Sequence, residues 1–296
     1  MSVGVQPPAV AVPVDSAEPP SVREERWQRA AFRIGIGWLA VVVLSSIVVR
    51  VVAAGQATAL NLASTLQSPS LSHPFGTDVV GRDLLVRTLY ASTTDLGVAF
   101  IGTVLPMIIG VLVGVVAGYV GGAADTALMR ITDFVLAFPF IVLVVAIVVI
   151  TGPGVTGVII GLMIKGFPAY ARLARGEMLV LREKQFILAA RTLGLPRSRV
   201  IFRHALPHVV RPCLVFFLSD LVGNILLLAS LSFLGLGVQP PTPEWGAIIA
   251  DGKNYLLSAW WISALPGLFV VSVGISLSLV GEGLAERLRQ RTGSAR

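Results

Sequence analysis

The chain has 296 residues, of which 55% are hydrophobic and only 13% charged, with a net charge of +7 and a mean hydropathy of +0.83. Soluble domains carry roughly 25% charged residues, so the composition excludes a disordered protein, a nucleic-acid binder and an ordinary cytosolic enzyme. It describes a polytopic membrane protein whose basic excess is placed by topology. The single cysteine, Cys213, excludes an internal disulfide and any multi-thiolate metal site.

Residues 1–22 are rich in Pro, Val and Ser and read as a disordered stretch within a cytoplasmic tail that runs to residue 31. The first span follows over Phe32–Ala53. No short basic n-region precedes it and no small-residue cleavage site follows, which argues against a removable signal peptide. An extracytoplasmic segment, 54–93, leads to a five-helix core over 94–285. About 20 apolar residues are needed per crossing, and this core holds spans at Thr94–Tyr119, Ala127–Ile150, Val155–Leu173, Leu214–Leu236 and Ala259–Gly281. A cytoplasmic tail closes the chain at 286–296. The expected fold class is all-α, with six transmembrane helices.

Basic residues orient the bundle, because Lys and Arg collect on cytoplasmic loops. With both termini cytoplasmic, the inside segments hold four basic residues at the N-terminal tail (Arg23, Arg26, Arg29 and Arg33, the last at the edge of span one), Arg130 by the short loop near Gly121, ten from Lys165 to Arg211, and four after span six. That places 19 of the 23 inside and leaves Arg50, Arg82, Arg87 and Lys253 outside. Trp245, Trp260, Trp261 and Tyr255 cluster near the start of span six, either as outer-interface rings or as ordinary packing aromatics.

Chemistry is hard to find. Asp251-Gly252-Lys253-Asn254 lacks both the upstream glycine and the following Ser/Thr of a phosphate-binding loop. His204 and His208 stand four apart without a nearby acid, and His73 falls on the opposite side of the membrane. The sequence therefore offers no catalytic residue and no metal ligand set. Ionisable groups inside spans are more telling, since lipid penalises them. Asp220 and Asn224 share a face of span five and read either as a polar wall of a transport path or as an interhelical hydrogen bond. Lys165 in span four either lines that path or snorkels to the cytoplasmic interface. Arg130 and Asp133 are expected to form a local ion pair.

The polar stretch around 174–211 predicts a compact knob: a short helix over Gln185–Gly194 with Phe186, Ala189, Ala190 and Leu193 on one side, then a turn over Ser198–Leu206 that stops at Pro207. Such a knob suits either a protein partner or an anionic lipid surface. Within it, Leu188-Ala189-Ala190-x3-Gly194-Leu195, then Arg203-His204-x-Leu206-Pro207, resembles the coupling-loop motif of permease subunits from binding-protein-dependent ABC importers. The family's usual first residue is an acid; Leu188 stands here, which removes a salt bridge and leaves docking by shape. His73-Pro74-Phe75-Gly76-Thr77-Asp78-x-x-Gly81-Arg82-Asp83, Gly118-Tyr119-x-Gly121-Gly122-x-x-Asp125, the run Leu231 to Gly246, and Trp260-Trp261 before Pro266-Gly267 resemble the C-type permease of dipeptide/oligopeptide importers.

The resemblance implies a type I ABC importer permease fold in a bacterial cytoplasmic (inner) membrane. It also implies a homologous second permease, two ATPase subunits that dock on the knob, and an extracytoplasmic peptide-binding protein. ATP and Mg would belong to the ATPases, with no cofactor in this chain. The alternatives are a nickel-chelate or glutathione importer and, from another class, a secondary transporter or channel. Pro106 and Pro139 are expected to loosen or kink their spans. Gly110, Gly114 and Gly118 recur every four positions as a close-packing face.

Overall fold

The computed structural model describes residues 22–293; the expected disordered stretch falls almost wholly outside them, as do the last three residues. In chain order the helices are α1 (Val22–Val52), α2 (Leu84–Val120), α3 (Gly122–Leu136), α4 (Phe140–Thr151), α5 (Val155–Leu181), α6 (Gln185–Thr192), α7 (Arg197–Arg199), α8 (Leu206–Phe233), α9 (Trp245–Asp251) and α10 (Trp261–Gly293). Among the described residues the one β contact is an isolated bridge between Thr77 and Asp83. The segments containing α1, α2, α5, α8 and α10 are each long and apolar enough to cross a bilayer.

The third expected span is not one helix. Between α3 and α4 the chain bends by 88°, so Ala127–Ile150 crosses only as a broken pair. Pro139 is the cause: it has no N–H to continue the ladder, and its ring disfavours helical backbone at Phe138. Pro106, by contrast, stays inside α2. Its ring backs onto Gly166 of α5, where an added Cβ would lie 3.0 Å from the proline Cβ.

The helices overrun the expected spans. α2 has 37 residues, about 55 Å at 1.5 Å per residue, against a hydrocarbon core of about 30 Å. Its start is set by Asp83, whose carboxylate accepts from Val86 N at 2.9 Å and is bonded to His73 Nδ1 at 2.7 Å. α10 likewise continues through Gly293, across most of the expected tail. The helix ends divide the molecule into a hood, residues 53–83 and 234–260, and an opposite knob, residues 182–205.

Under the hood, Trp245, Leu84, Ile248, Trp261 and Ile262 are buried in one cluster. Trp245 and Trp261 are therefore packing residues and not interface rings, whereas Trp260 is half-exposed. The hood is pinned by Asp78, which accepts from Val80 N at 3.0 Å, Arg82 N at 2.9 Å and Arg82 Nε at 2.6 Å, and pairs with Arg87. Burial pushes the Asp78 carboxyl up, but the charge of Arg87 and the bonds from Arg82 outweigh it and hold it below the usual carboxylate range.

The seam between α2 and α5 is where the glycine row is used. A Cβ on Gly110 would meet Tyr170 Cβ at 2.6 Å, one on Gly114 would reach the Ala171 carbonyl and Ala174, and one on Gly118 would meet Met178 Cβ at 2.9 Å. Without side chains there, the two backbones approach closely and gain dispersion contacts along the whole seam.

Candidate functional site

The knob is built on α6. Its inner face buries Ile187 and Ala190 in a cluster with Val115 of α2, Met178 of α5, and Val200 and Val209. Ala190 thus turns inward, away from the face it was expected to share with Phe186, Ala189 and Leu193. The outward face carries Phe186, Leu188, Ala189 and Leu193, the last 81% exposed. The helix ends in a Schellman motif: Leu195 N donates to Ala190 O at 3.2 Å and Gly194 N to Arg191 O at 3.0 Å. Gly194 has φ +75°, a conformation that suits a residue without Cβ. Half-buried Leu195 joins the inner cluster.

The expected stop at Pro207 does not occur. α7 leads into a π-helical stretch, Val200–Ala205, in which Leu206 N bonds back to Ile201 O, and the chain runs on as α8. Pro207 lies in the first turn of α8, where a missing N–H is tolerated. Arg203 is exposed, while His204 and Leu206 are half-buried. The His208 ring bonds through Nδ1 to His204 O at 3.0 Å and lies 5.3 Å from the Phe186 ring.

A second cluster lies within the membrane-spanning helices and joins all three expected pathway residues. Lys165 Nζ of α5 donates to Asp220 Oδ1 and to Asn224 Oδ1 of α8, both at 2.9 Å. Tyr170 Oη donates to Asp220 Oδ2 at 3.2 Å, and Asn224 Nδ2 donates to Thr103 Oγ1 of α2 at 2.9 Å. Lys165 reaches inward to its acid instead of snorkelling, and it keeps 20% of its side chain exposed against 7% for Asp220. Tyr170 and Thr103 went unnoticed in the sequence, where a lone hydroxyl in an apolar span is a weak signal.

Arg130 is not the partner of Asp133, as the local spacing had suggested. Asp133 pairs with Arg172 of α5 at 2.5 Å, and Asp125 takes two bonds from Arg175, at 2.5 and 2.6 Å. These pairs tie α3 to α5, a tertiary choice that an i,i+3 rule cannot anticipate.

Long helices crossing at a glycine seam, a proline-broken third crossing and a capped knob at one end are the architecture of a polytopic helical membrane protein. Residues 110–293 match the family described as the binding-protein-dependent transport system inner membrane component, and the chain belongs to that family. A Brucella suis biovar 1 protein provisionally named a peptide transport system permease is 38% identical over 264 residues, 89% of each chain. A dipeptide transport system permease protein of Alkalihalophilus pseudofirmus is 37% identical, covering 77% of this chain and 75% of its own. The glutathione transport system permease protein of Escherichia coli O6:K15:H31 is 41% identical, covering 74% and 73%. Among solved structures, a chain of the inward-facing MetNI methionine ABC transporter superposes with a TM-score of 0.56 at 20% identity, covering 69% of this chain and 95% of that one; this likeness concerns the fold.

Proposed function

We propose that the chain is the permease subunit of an ATP-driven importer of dipeptides or oligopeptides. It forms half of a pathway completed by a homologous second permease, receives substrate from an extracytoplasmic binding protein, and is driven by two ATPase subunits beneath the knob. The names of the Brucella and Alkalihalophilus relatives support the substrate class; glutathione, itself a small peptide, is the second reading, favoured by the Escherichia coli relative. Both termini and the knob face the cytoplasm, a placement supported by the 19 of 23 basic residues it puts on that side.

The observation that carries the coupling role is the two-faced α6. Phe186, Leu188 and Leu193 stand outward, while Ile187 and Ala190 are buried in one cluster with residues of α2, α5, the π-helical stretch and α8. An ATPase gripping the outer face would move those helices through the inner one, so closure of the ATPases becomes tilting of the pathway walls. On this reading Lys165, Asp220 and Asn224 line that pathway, which accords with the need of a charged group to face protein or water.

Leu188→Asp and Leu193→Asp change exposed positions and should alter the stability of the chain by less than about 0.5 kcal/mol. Each is expected to cut ATPase co-purification and stimulated ATP hydrolysis severely; undiminished co-purification of both would sink the coupling role. Transport of dipeptides, longer peptides, glutathione and nickel by the reconstituted complex separates the substrate readings. For orientation, Ser198→Cys on the exposed knob should react with an impermeant thiol reagent only from the cytoplasmic side, against a fully buried Cys213. Labelling from outside alone would reverse the topology.

A further inference from the structure

Two fully buried carboxyl groups, Asp95 of α2 and Glu244 at the start of α9, meet where the hood rests on the membrane helices. One oxygen of each is accounted for: Asp95 Oδ2 accepts from Trp245 N at 3.2 Å, and Glu244 Oε2 accepts from Ala247 N at 2.8 Å. The other two, Asp95 Oδ1 and Glu244 Oε1, receive no N–H or O–H from any other described group. The amide that bonds Asp95 belongs to Trp245, the residue next to Glu244, so the two unpartnered oxygens are neighbours.

The nearby cations are engaged elsewhere or exposed: Arg50 of α1 donates to Thr93 Oγ1 at 2.6 Å and lies over the Tyr90 ring, and Lys253, just beyond α9, is exposed. α9 packs against α2, α8 and α10. Residues 261–281 of α10 and 221–233 of α8 contain no ionisable side chain. On α2, Arg87 is engaged by Asp78 and lies 3.7 Å from Asp251 at the far end of α9, with Arg82 in the same network. Two ionised carboxylates in contact, out of water and without a cation, repel each other. One proton turns that repulsion into a short, charge-assisted O–H···O bond.

We propose that Asp95 and Glu244 hold a single proton between them, and that this shared proton clasps α9, and with it the hood, onto α2. Trp245 adds to the clasp, its ring N–H donating to Thr88 O at 3.0 Å beneath the pair. The clasp does not depend on what the protein transports. It is present while the proton is held and opens as rising pH removes it, leaving two adjacent buried charges.

An amide in place of either acid keeps the bond and cannot be titrated: in Asp95→Asn the side-chain NH2 donates to Glu244 Oε1, and in Glu244→Gln to Asp95 Oδ1. The test is hydrogen–deuterium exchange over residues 245–251 of the full complex in lipid nanodiscs, corrected for intrinsic exchange, together with infrared spectra of the carboxyl region. Wild type should lose protection by about tenfold or more on going alkaline, the scale of one buried hydrogen bond. Asp95→Asn should stay protected throughout, and Asp95→Ala should be unprotected at every pH. A protonated-carboxyl band present in wild type at neutral pH should vanish in Asp95→Asn. Matching pH profiles for wild type and Asp95→Asn, or a band unchanged by the substitution, would overturn the proposal. So would failure of both Asp95→Asn and Glu244→Gln to assemble, since either amide should preserve the clasp.

Discussion

Asp220→Ala, with Lys165 left in place, is expected to cost the assembled bundle about 3–5 kcal/mol, the penalty for stranding a buried charge. The ammonium would lose its 2.9 Å bond to Asp220 and keep only Asn224, and the Tyr170 hydroxyl would lose its acceptor. Thermal unfolding of the purified complex should register the loss as a markedly lower midpoint and reduced recovery. Lys165→Met with Asp220→Leu removes both charges and fills the space with apolar groups, so assembly should return close to wild type. Transport separates the two roles of the cluster. If it lines the pathway, the double variant assembles but transports poorly, which is the expected result. Full transport by a well-assembled double variant would make Lys165 and Asp220 an interhelical tie and nothing more.

The second large effect is expected at Gly114. Its missing side chain faces the Ala171 carbonyl and the Ala174 methyl across the α2–α5 seam, and backbone cannot step aside as a flexible side chain can. Gly114→Leu should therefore exceed the usual overpacking cost of about 1–3 kcal/mol and separate the two helices along the row from Gly110 to Gly118. Gly223→Ala is the control, because a Cβ there meets nothing within 4 Å. Recovery of folded complex should collapse for the first and stay at wild-type level for the second. Equal recovery would show that the seam tolerates a separation the glycine row argues against.

The crossings were legible because each is a run of apolar residues long enough to span, and a run needs no tertiary information. Their ends were not, since a hood outside the lipid lets a helix continue in protein where the hydrophobic count stops; Leu84 starts α2 ten residues before Thr94 for that reason. Pro139 was visible, but a proline alone does not say whether a helix kinks or breaks. Pro106 stays helical because Gly166 makes room for it, and that glycine lies 60 residues away on another helix. Asp220 and Asn224 could be paired by spacing within α8, and Lys165 could be singled out as a charge in lipid. That the three converge depends on the register of α5 against α8, which is set by packing across the bundle. Pro207 misled for a different reason: the π-helical stretch before it shifts the hydrogen-bond ladder so that the proline falls in an opening turn. Asp95 stands at the edge of the expected second span and Glu244 in a proline-rich turn, positions where an acid is ordinarily solvated, so their burial together was not legible.

α1 lies outside the span of the family match and faces outward over much of its length. It is held largely by α10: Trp38 Nε1 donates to Ser272 Oγ at 3.1 Å, Gly35 backs onto Ser276 O, and the Arg287 guanidinium sits 3.8 Å over the Phe32 ring. Trp38 and Ser272 are 234 positions apart, so α1 leaves the ribosome long before its main neighbour α10 has been made. At about 5–20 residues per second, α1 spends tens of seconds in the bilayer without α10, its outward face turned to lipid and α2 its earlier neighbour. Its lipid-compatible surface is therefore a requirement of biogenesis as well as of the finished bundle, and α10 is the helix that completes its packing.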